Sequence, residues 1–509
     1  MVSTRSIAVK RGIFWGYVQT ILGSVLPFVL RAVFISNLGS ELLGLNSLCT
    51  SVLSVLNAVD FGITDAMSYK LYKPIHDNDI EKTCQLYTFF RYIYRGIGLI
   101  VLIYGIIFSF FFTKLYPNND IEINGSWILL VYAINVSLGY FIVSYRYLIF
   151  SASQRTDLVH KITTIGFLVL YPLQILMVIN KSYLGYLITM LISTVIQYLV
   201  GVYYEKKYFN YLYDNKKLSL SEKKDIFMNS IDIIIYKFRN ISRNTFDSIV
   251  ISSFLGLEVL SNYQNYVSIV NVCIIFRLLI SSVVTPSLGN YYLENGKKAT
   301  YSLSKTLLYI QLFASCWIGV FFFFLINSFI SIWIGKEYVF NSNVAFLFFI
   351  YFIALGVSEF TMMLRQSMGI WKQGRKTALV ESIANIILNI VLGHYWGVEG
   401  IICATIITIL IFCIPCDIKV IVIDFFENSF WDYACIIIKL AIWCAISMII
   451  IGGIRWIFGK DLMSQSLSCI LACGIVPFTL FYVLFHKNDD VKIFIDFILE
   501  IKKKILFIH

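Results

Sequence analysis

Residues 27–46 read PFVLRAVFISNLGSELLGLN, and they set a fixed charge, Arg31, inside an apolar run long enough to cross a bilayer. The run begins near residue 12 and continues to about residue 36. A helix needs about 20 apolar residues to span the hydrocarbon core. The rest of the chain has the same character. It is 58% hydrophobic and only 14% charged, with a mean hydropathy of +0.77. Soluble domains carry about 25% charge, so the composition is that of a polytopic membrane protein. Lipid requires every backbone polar group to be paired within its own segment or a closed barrel. Barrel strands alternate in polarity over about ten residues. The runs here are longer and apolar on most faces, which makes them helices.

Fourteen helices are expected, near 12–36, 44–67, 85–113, 126–150, 162–180, 183–204, 229–255, 261–289, 303–328, 341–368, 377–395, 398–416, 431–454 and 464–485. The first run is too long for a signal-peptide core and no small-x-small cleavage site follows it, so it reads as a permanent span. Lys and Arg orient the set. With the N-terminus inside, inner segments hold 25 of the 41 basic residues and outer segments hold Lys114, Lys181, Lys336, Arg455 and Lys460. Both termini are therefore expected in the cytoplasm, and the net charge of +11 needs no nucleic-acid partner to explain it. The eleven cysteines lie mostly in apolar stretches, and neither the Cys413/Cys416 pair nor the five histidines form a metal cluster. They read as small apolar residues.

The chain also reads as duplicated. ISNLGSELL (35–43) compares with ISSFLGLEVL (251–260) once one residue is inserted. Arg155-Thr156-Asp157-Leu158-Val159 compares with Lys376-Thr377-Ala378-Leu379-Val380, and YLGYLITMLIST (183–194) with GVEGIICATIIT (397–408). The matches fall in order at spacings of about 215–221 residues. The expected organisation is an N-lobe at 1–204, a cytoplasmic linker at 205–228, a C-lobe at 229–416, two added helices within 417–485 and a basic cytoplasmic tail at 486–509. Parallel repeats of this kind place substrate sites near the midplane.

Eleven basic residues fall within the expected helices: Arg31, Arg91, Arg95, Arg146, Lys237, Arg239, Arg243, Arg277, Lys305, Arg365 and Lys439. Arg91, Arg146, Lys305 and Arg365 stand near inner ends and are expected to snorkel. Arg31, Arg95, Arg239, Arg243 and Arg277 are deep. Each would cost about 2.5–3.5 kcal/mol facing lipid at the bilayer centre, so they must face protein, water or an anion. On the seventh helix Asp232, Tyr236, Arg239, Arg243 and Asp247 share one stripe. Tyr87, Arg91 and Arg95 form a shorter one, and Glu381, Asn385 and Asn389 recur every four residues. Acidic residues within the helices are Asp60, Asp65, Asp232, Asp247, Glu359 and Glu381. Two readings compete: interhelical ion pairs that fix packing, or a cationic aqueous cavity. The excess of arginine favours the cavity. A guanidinium keeps its charge and its planar fork matches phosphate oxygens.

Two stretches carry a family resemblance. LRAVFISNLGSELLGLNSLCTSVLSVLNAVDFGITDAMSYKLYKP (30–74) resembles the N-terminal region of bacterial Wzx-type polysaccharide flippases, and GIWKQGRKTALVESIANIILNIVLGHYWGVEGIICATIIT (369–408) resembles their eleventh and twelfth helices. The resemblance implies the MOP exporter superfamily, which includes MATE drug exporters and lipid II flippases. It implies an all-α integral membrane fold: fourteen transmembrane helices, two pseudo-symmetric six-helix lobes around a cavity lined by helices 1, 2, 7 and 8, and two extra C-terminal helices. It places Arg31, Arg239, Arg243 and Arg277 at that cavity as substrate-binding residues, with Arg95 less directly. Asp60, Asp247, Glu359 and Glu381 become candidates for ion coupling.

The function so implied is translocation of an undecaprenyl-pyrophosphate-linked oligosaccharide across the bacterial cytoplasmic membrane, for O-antigen or capsule assembly. No cofactor is expected; a Na+ or H+ gradient or the membrane potential would drive it. There is no P-loop motif (GxxxxGK[ST]) for nucleotide. Expected partners are the lipid-linked substrate, membrane lipids, and the polysaccharide polymerase and chain-length machinery. The rivals are a MATE-type exporter, which for cationic drugs would want an acidic cavity, and a membrane polymerase or ligase. The latter would be expected to carry a sizeable outer loop, and the outer loops here are short.

Overall fold

The computed structural model describes residues 2–54, 57–116, 124–213, 218–370, 373–458, 462–488 and 490–492. Every regular element among them is helical. The helices are α1 (Val2–Leu38), α2 (Ser40–Ser54), α3 (Asn57–His76), α4 (Ile80–Phe112), α5 (Gly125–Leu138), α6 (Tyr145–Ala152), α7 (Thr156–Ile179), α8 (Tyr183–Tyr208), α9 (Leu220–Phe254), α10 (Leu257–Trp333), α11 (Ser342–Met368), α12 (Arg375–Thr408), α13 (Ile414–Ile418), α14 (Phe430–Phe458) and α15 (Leu462–Phe485). Side-chain oxygens cap several helix starts. Asp79 accepts from Lys82 N at 2.9 Å to start α4, and Asn341 accepts from Val344 N at 2.9 Å to start α11. Each satisfies an amide that a helix start leaves open.

Among the described residues ten helical stretches are long and apolar enough to cross a membrane. The chain is a multi-pass membrane protein. The count is consistent with fourteen spans. α10 holds two expected helices and breaks at Gly296 (φ 74°), and α12 holds two more and breaks at Gly397 (φ 59°). α5 and α6 are one expected span, joined through the π turn Gly139–Ser144.

The chain divides into two compact units, Met1–Ser261 and Asn262–His509. In the first, α1 lies along α7, α4 along α5 and α7 along α8. α2 packs on α9 and meets the start of α10. A Cβ on Gly44 would overlap the carbonyl oxygen of Leu257, the first residue of α10, so only glycine permits that approach. Between α2 and α9 the contacts are hydroxyl pairs. Ser51 donates to Ser248 at 3.0 Å, and the Ser54 and Thr245 hydroxyls meet at 2.8 Å. A buried cluster including Leu86, Tyr87, Phe90, Tyr94, Ile149 and Phe150 fills the space between α4 and its neighbours.

In the second unit, α14 and α15 pack on the later half of α10. Phe313 stacks at 5.4 Å on Trp443 and meets Phe481 at 4.6 Å, while Trp317 Nε1 donates to the Cys473 carbonyl at 3.0 Å. After α12 the helical path continues through two π turns, Ile409–Cys413 and Lys419–Phe425, on either side of α13.

Two arginines expected to snorkel do not. Arg146 is 7% exposed and its Nε donates to Glu205 Oε2 at 2.6 Å, with the Tyr87 hydroxyl bonded to the other carboxylate oxygen. Arg365 is fully buried. Its Nη2 donates to Asp417 Oδ1 at 2.8 Å, and its Nη1 reaches the carbonyls of Ile370 and Gln373 at 3.1 and 2.7 Å. Thr361 adds a hydroxyl to Asp417 Oδ2 at 3.0 Å. A buried carboxylate within reach competes successfully with the membrane surface for a long cationic side chain, provided the remaining donors find acceptors.

Candidate functional site

The candidate residues divide between the units. Arg31, Arg95, Arg239, Arg243 and Asp247 lie in the first; Arg277, Glu359 and Glu381 lie in the second. The side chains of Asp60, Asp65, Asp232 and Lys237 fall outside the described ones.

In the first unit, Arg31 is half-buried on α1, with Nη2 3.4 Å from the Ser261 carbonyl oxygen. The α9 stripe turns inward as its spacing requires. Tyr236, Arg239, Arg243 and Asp247 are all at most 3% exposed. The Arg239 guanidinium sits 5.3 Å from the Tyr236 ring centre. None of Arg239, Arg243 and Asp247 is without a partner. Arg95 is exposed on α4, whereas Tyr87, two turns earlier, is buried. Steps of four residues overshoot a full turn by about 40° each. A stripe that starts on the buried face at Tyr87 therefore ends outside it at Arg95, and Arg91 between them is half-buried.

In the second unit the structure brings two candidates together. Arg277 on α10 is fully buried, and its Nε donates to Glu359 Oε2 on α11 at 2.7 Å. Nη1 donates to the Phe352 carbonyl at 2.8 Å and lies 3.4 Å from Ser315 Oγ. The guanidinium stands 4.3 Å from the Phe352 ring centre. Gly356 makes room for it. A Cβ there would lie 3.0 Å from Arg277 Nη1 and overlap Ser315 Oγ. Glu381 belongs to a different neighbourhood. It is buried on α12 with Asn385 and Asn389. Asn385 Nδ2 donates to Thr405 Oγ1 at 3.1 Å, and Asn389 Nδ2 to Asn385 Oδ1 at 3.3 Å. The regular four-residue recurrence is thus a buried polar ladder facing the later turns of the same helix element.

Glu205 and Asp417 were absent from the acidic residues expected within helices, because the expected sixth and twelfth helices end at 204 and 416. Each falls one residue beyond. The sequence held a faint signal, since Glu205 follows Arg146 by 59 residues and Asp417 follows Arg365 by 52.

A family profile described as "Polysaccharide biosynthesis protein" matches residues 9–291. No curated protein sequence matches the chain. Among solved structures, the lipid II flippase MurJ in an inward closed conformation superposes with a TM-score of 0.66 at 15% identity, covering 94% of this chain and 99% of that one. An inward-facing MATE-family multidrug resistance transporter of the MOP superfamily gives 0.62 at 14% identity, covering 84% and 99%. A MOP-superfamily transporter from Pyrococcus furiosus, described as having a binding pocket of reverse polarity, gives 0.58 at 13%, covering 83% and 96%. These likenesses establish a MurJ- and MATE-like fold, as the resemblance at 30–74 and 369–408 implied. With more than half of its length matched by that profile, the chain belongs to the polysaccharide biosynthesis protein family.

Proposed function

We propose that this protein is a flippase that carries a lipid-linked oligosaccharide, built on undecaprenyl pyrophosphate, from the cytoplasmic to the outer leaflet of the bacterial cytoplasmic membrane. The observation that carries the reading is the set of buried arginines on membrane helices, Arg239, Arg243 and Arg277, in a chain of the polysaccharide biosynthesis family with a MOP fold. Cationic side chains are retained in spans where they have work to do or partners to neutralise them. Arg31, half-buried, joins them. The diphosphate would bind these arginines, the sugars would occupy hydrated space, and the lipid tail would stay in the bilayer. Access would alternate, with no covalent change to the cargo. An ion gradient or the membrane potential would supply the energy, with Asp60, Asp247, Glu359 and Glu381 as the candidate acids. Polymerase and chain-length proteins are the natural partners of the delivered repeat unit, and both termini face the cytoplasm. A drug exporter for cations fits less well, because the buried charges described on α9 and α10 are three guanidiniums, Arg239, Arg243 and Arg277, against one carboxylate, Asp247. The test is reconstitution in liposomes with a fluorescent lipid-linked oligosaccharide, whose crossing this protein should accelerate.

A further inference from the structure

We propose that Arg277 is a two-state anion site. Glu359 is its resident occupant, and a phosphate oxygen of the translocated lipid is the occupant that replaces it. The proposal rests on the flippase reading and adds a condition to it: the anion binds as Glu359 leaves.

The two ends of the ion pair are not alike. Arg277 is wholly buried, whereas the Glu359 side chain keeps 21% of its exposure. The arginine is held by more than its carboxylate. The Phe352 carbonyl, the Ser315 hydroxyl and the Phe352 ring all engage the guanidinium, and Gly356 leaves it space. Those contacts are neutral and do not depend on Glu359. The mobile partner is therefore the carboxylate, which is joined to the guanidinium through Nε.

Donors are also left over. Arg277 Nη2 and Gln311 Nε2 are buried and have no hydrogen-bond partner among the described residues, and neither has the Ser281 hydroxyl. Gln311 stands one turn before Ser315, whose hydroxyl donates to its carbonyl at 2.8 Å. Ser281 stands one turn after Arg277. Buried donors are nearly always satisfied in native proteins. An oxyanion with several acceptor lone pairs uses such donors better than one carboxylate does, and a guanidinium offers it a forked pair.

Charge sets the order of events. A buried guanidinium stripped of its anion is costly, so one occupant must replace the other. Glu359 leaves as the acid, taking one proton from the aqueous phase, while the phosphate oxygen takes its place on Arg277. Among the described residues, the other titratable group that interacts with the pair is Cys273, one turn before Arg277 on α10. The groups presented by the later half of α10, Gln311 and Ser315, and by Phe352 on α11 are neutral. Anion binding should thus strengthen as pH falls through the titration of Glu359 and weaken as pH rises.

The experiment uses the purified full-length protein in detergent with farnesyl diphosphate as the probe, and calorimetry over a pH series. Wild type should bind more tightly at lower pH. Glu359→Gln should bind on the order of tenfold more tightly at high pH and keep only the pH dependence of the diphosphate itself. Arg277→Gln should lose tenfold or more, and Arg277→Lys less, with thermal melting used to confirm that each variant is folded. Identical pH dependence in wild type and Glu359→Gln would overturn the exchange and leave the flippase reading standing. Absence of probe binding in every folded form would overturn both.

Discussion

Arg365 stands 219 positions after Arg146, within the spacing of the sequence repeat, and each arginine closes on a buried carboxylate of its own unit. The acids, Glu205 and Asp417, follow near the ends of the expected sixth and twelfth helices. Each unit thus holds a buried arginine–carboxylate clamp of the same kind. Removing one member leaves an unpaired charge in the interior, at a cost of about 3–5 kcal/mol. Arg146→Ala or Glu205→Ala should therefore lower thermal stability strongly. The joint change Arg146→Met with Glu205→Leu should be milder, because it leaves no unpaired charge and only the Tyr87 hydroxyl loses an acceptor. Equal damage from the single and joint changes would argue against the clamp.

Gly44 permits the contact between α2 and the start of α10 within the first unit. Gly44→Ala forces a Cβ onto the Leu257 carbonyl, and overpacking of this kind costs about 1–3 kcal/mol. Gly96→Ala on α4 is the control, since nothing lies within 4 Å of its Cβ position. It should be neutral or stabilising by about 0.5–1 kcal/mol. Melting of the two purified variants checks the contrast.

The orientation read from the basic residues is testable in intact cells. In a Cys435→Ser background, which removes an exposed native thiol, Lys181→Cys should react with a membrane-impermeant maleimide from outside. Lys298→Cys should react only after the cells are opened. Both positions are exposed. The reverse pattern would invert the topology.

The helical fold was legible because span length is a local signal that survives without any neighbour. Composition alone made α1, α4, α7, α8, α11, α14 and α15 readable. The glycine breaks at Gly296 and Gly397 also fell between helices expected as separate spans. Pairing was not legible. Arg277 and Glu359 are 82 residues apart on different helices, and no spacing rule links them. Arg146 and Arg365 stood near expected helix ends, where snorkelling is the usual outcome. Their true partners lay one residue past the expected ends. The two π turns around α13 keep Asp417 inside a continuing helical element, which no apolar count could foresee. The α9 stripe was right in its inward direction because i, i+3 and i+4 spacing fixes a face. The α4 stripe drifted off its face over two turns.

We propose that arginines on the membrane helices, half-buried at Arg31 and buried at Arg243 and Arg277, move a lipid-linked anion across the membrane. It is tested most directly in liposomes containing the purified protein and a fluorescent lipid-linked oligosaccharide, with Arg31→Gln, Arg243→Gln and Arg277→Gln compared at equal folded content. The account predicts accelerated crossing with wild type and a loss of about tenfold or more in each variant, the scale of a charge-assisted hydrogen bond of about 1.5–3 kcal/mol. Crossing at the wild-type rate in all three variants would contradict it.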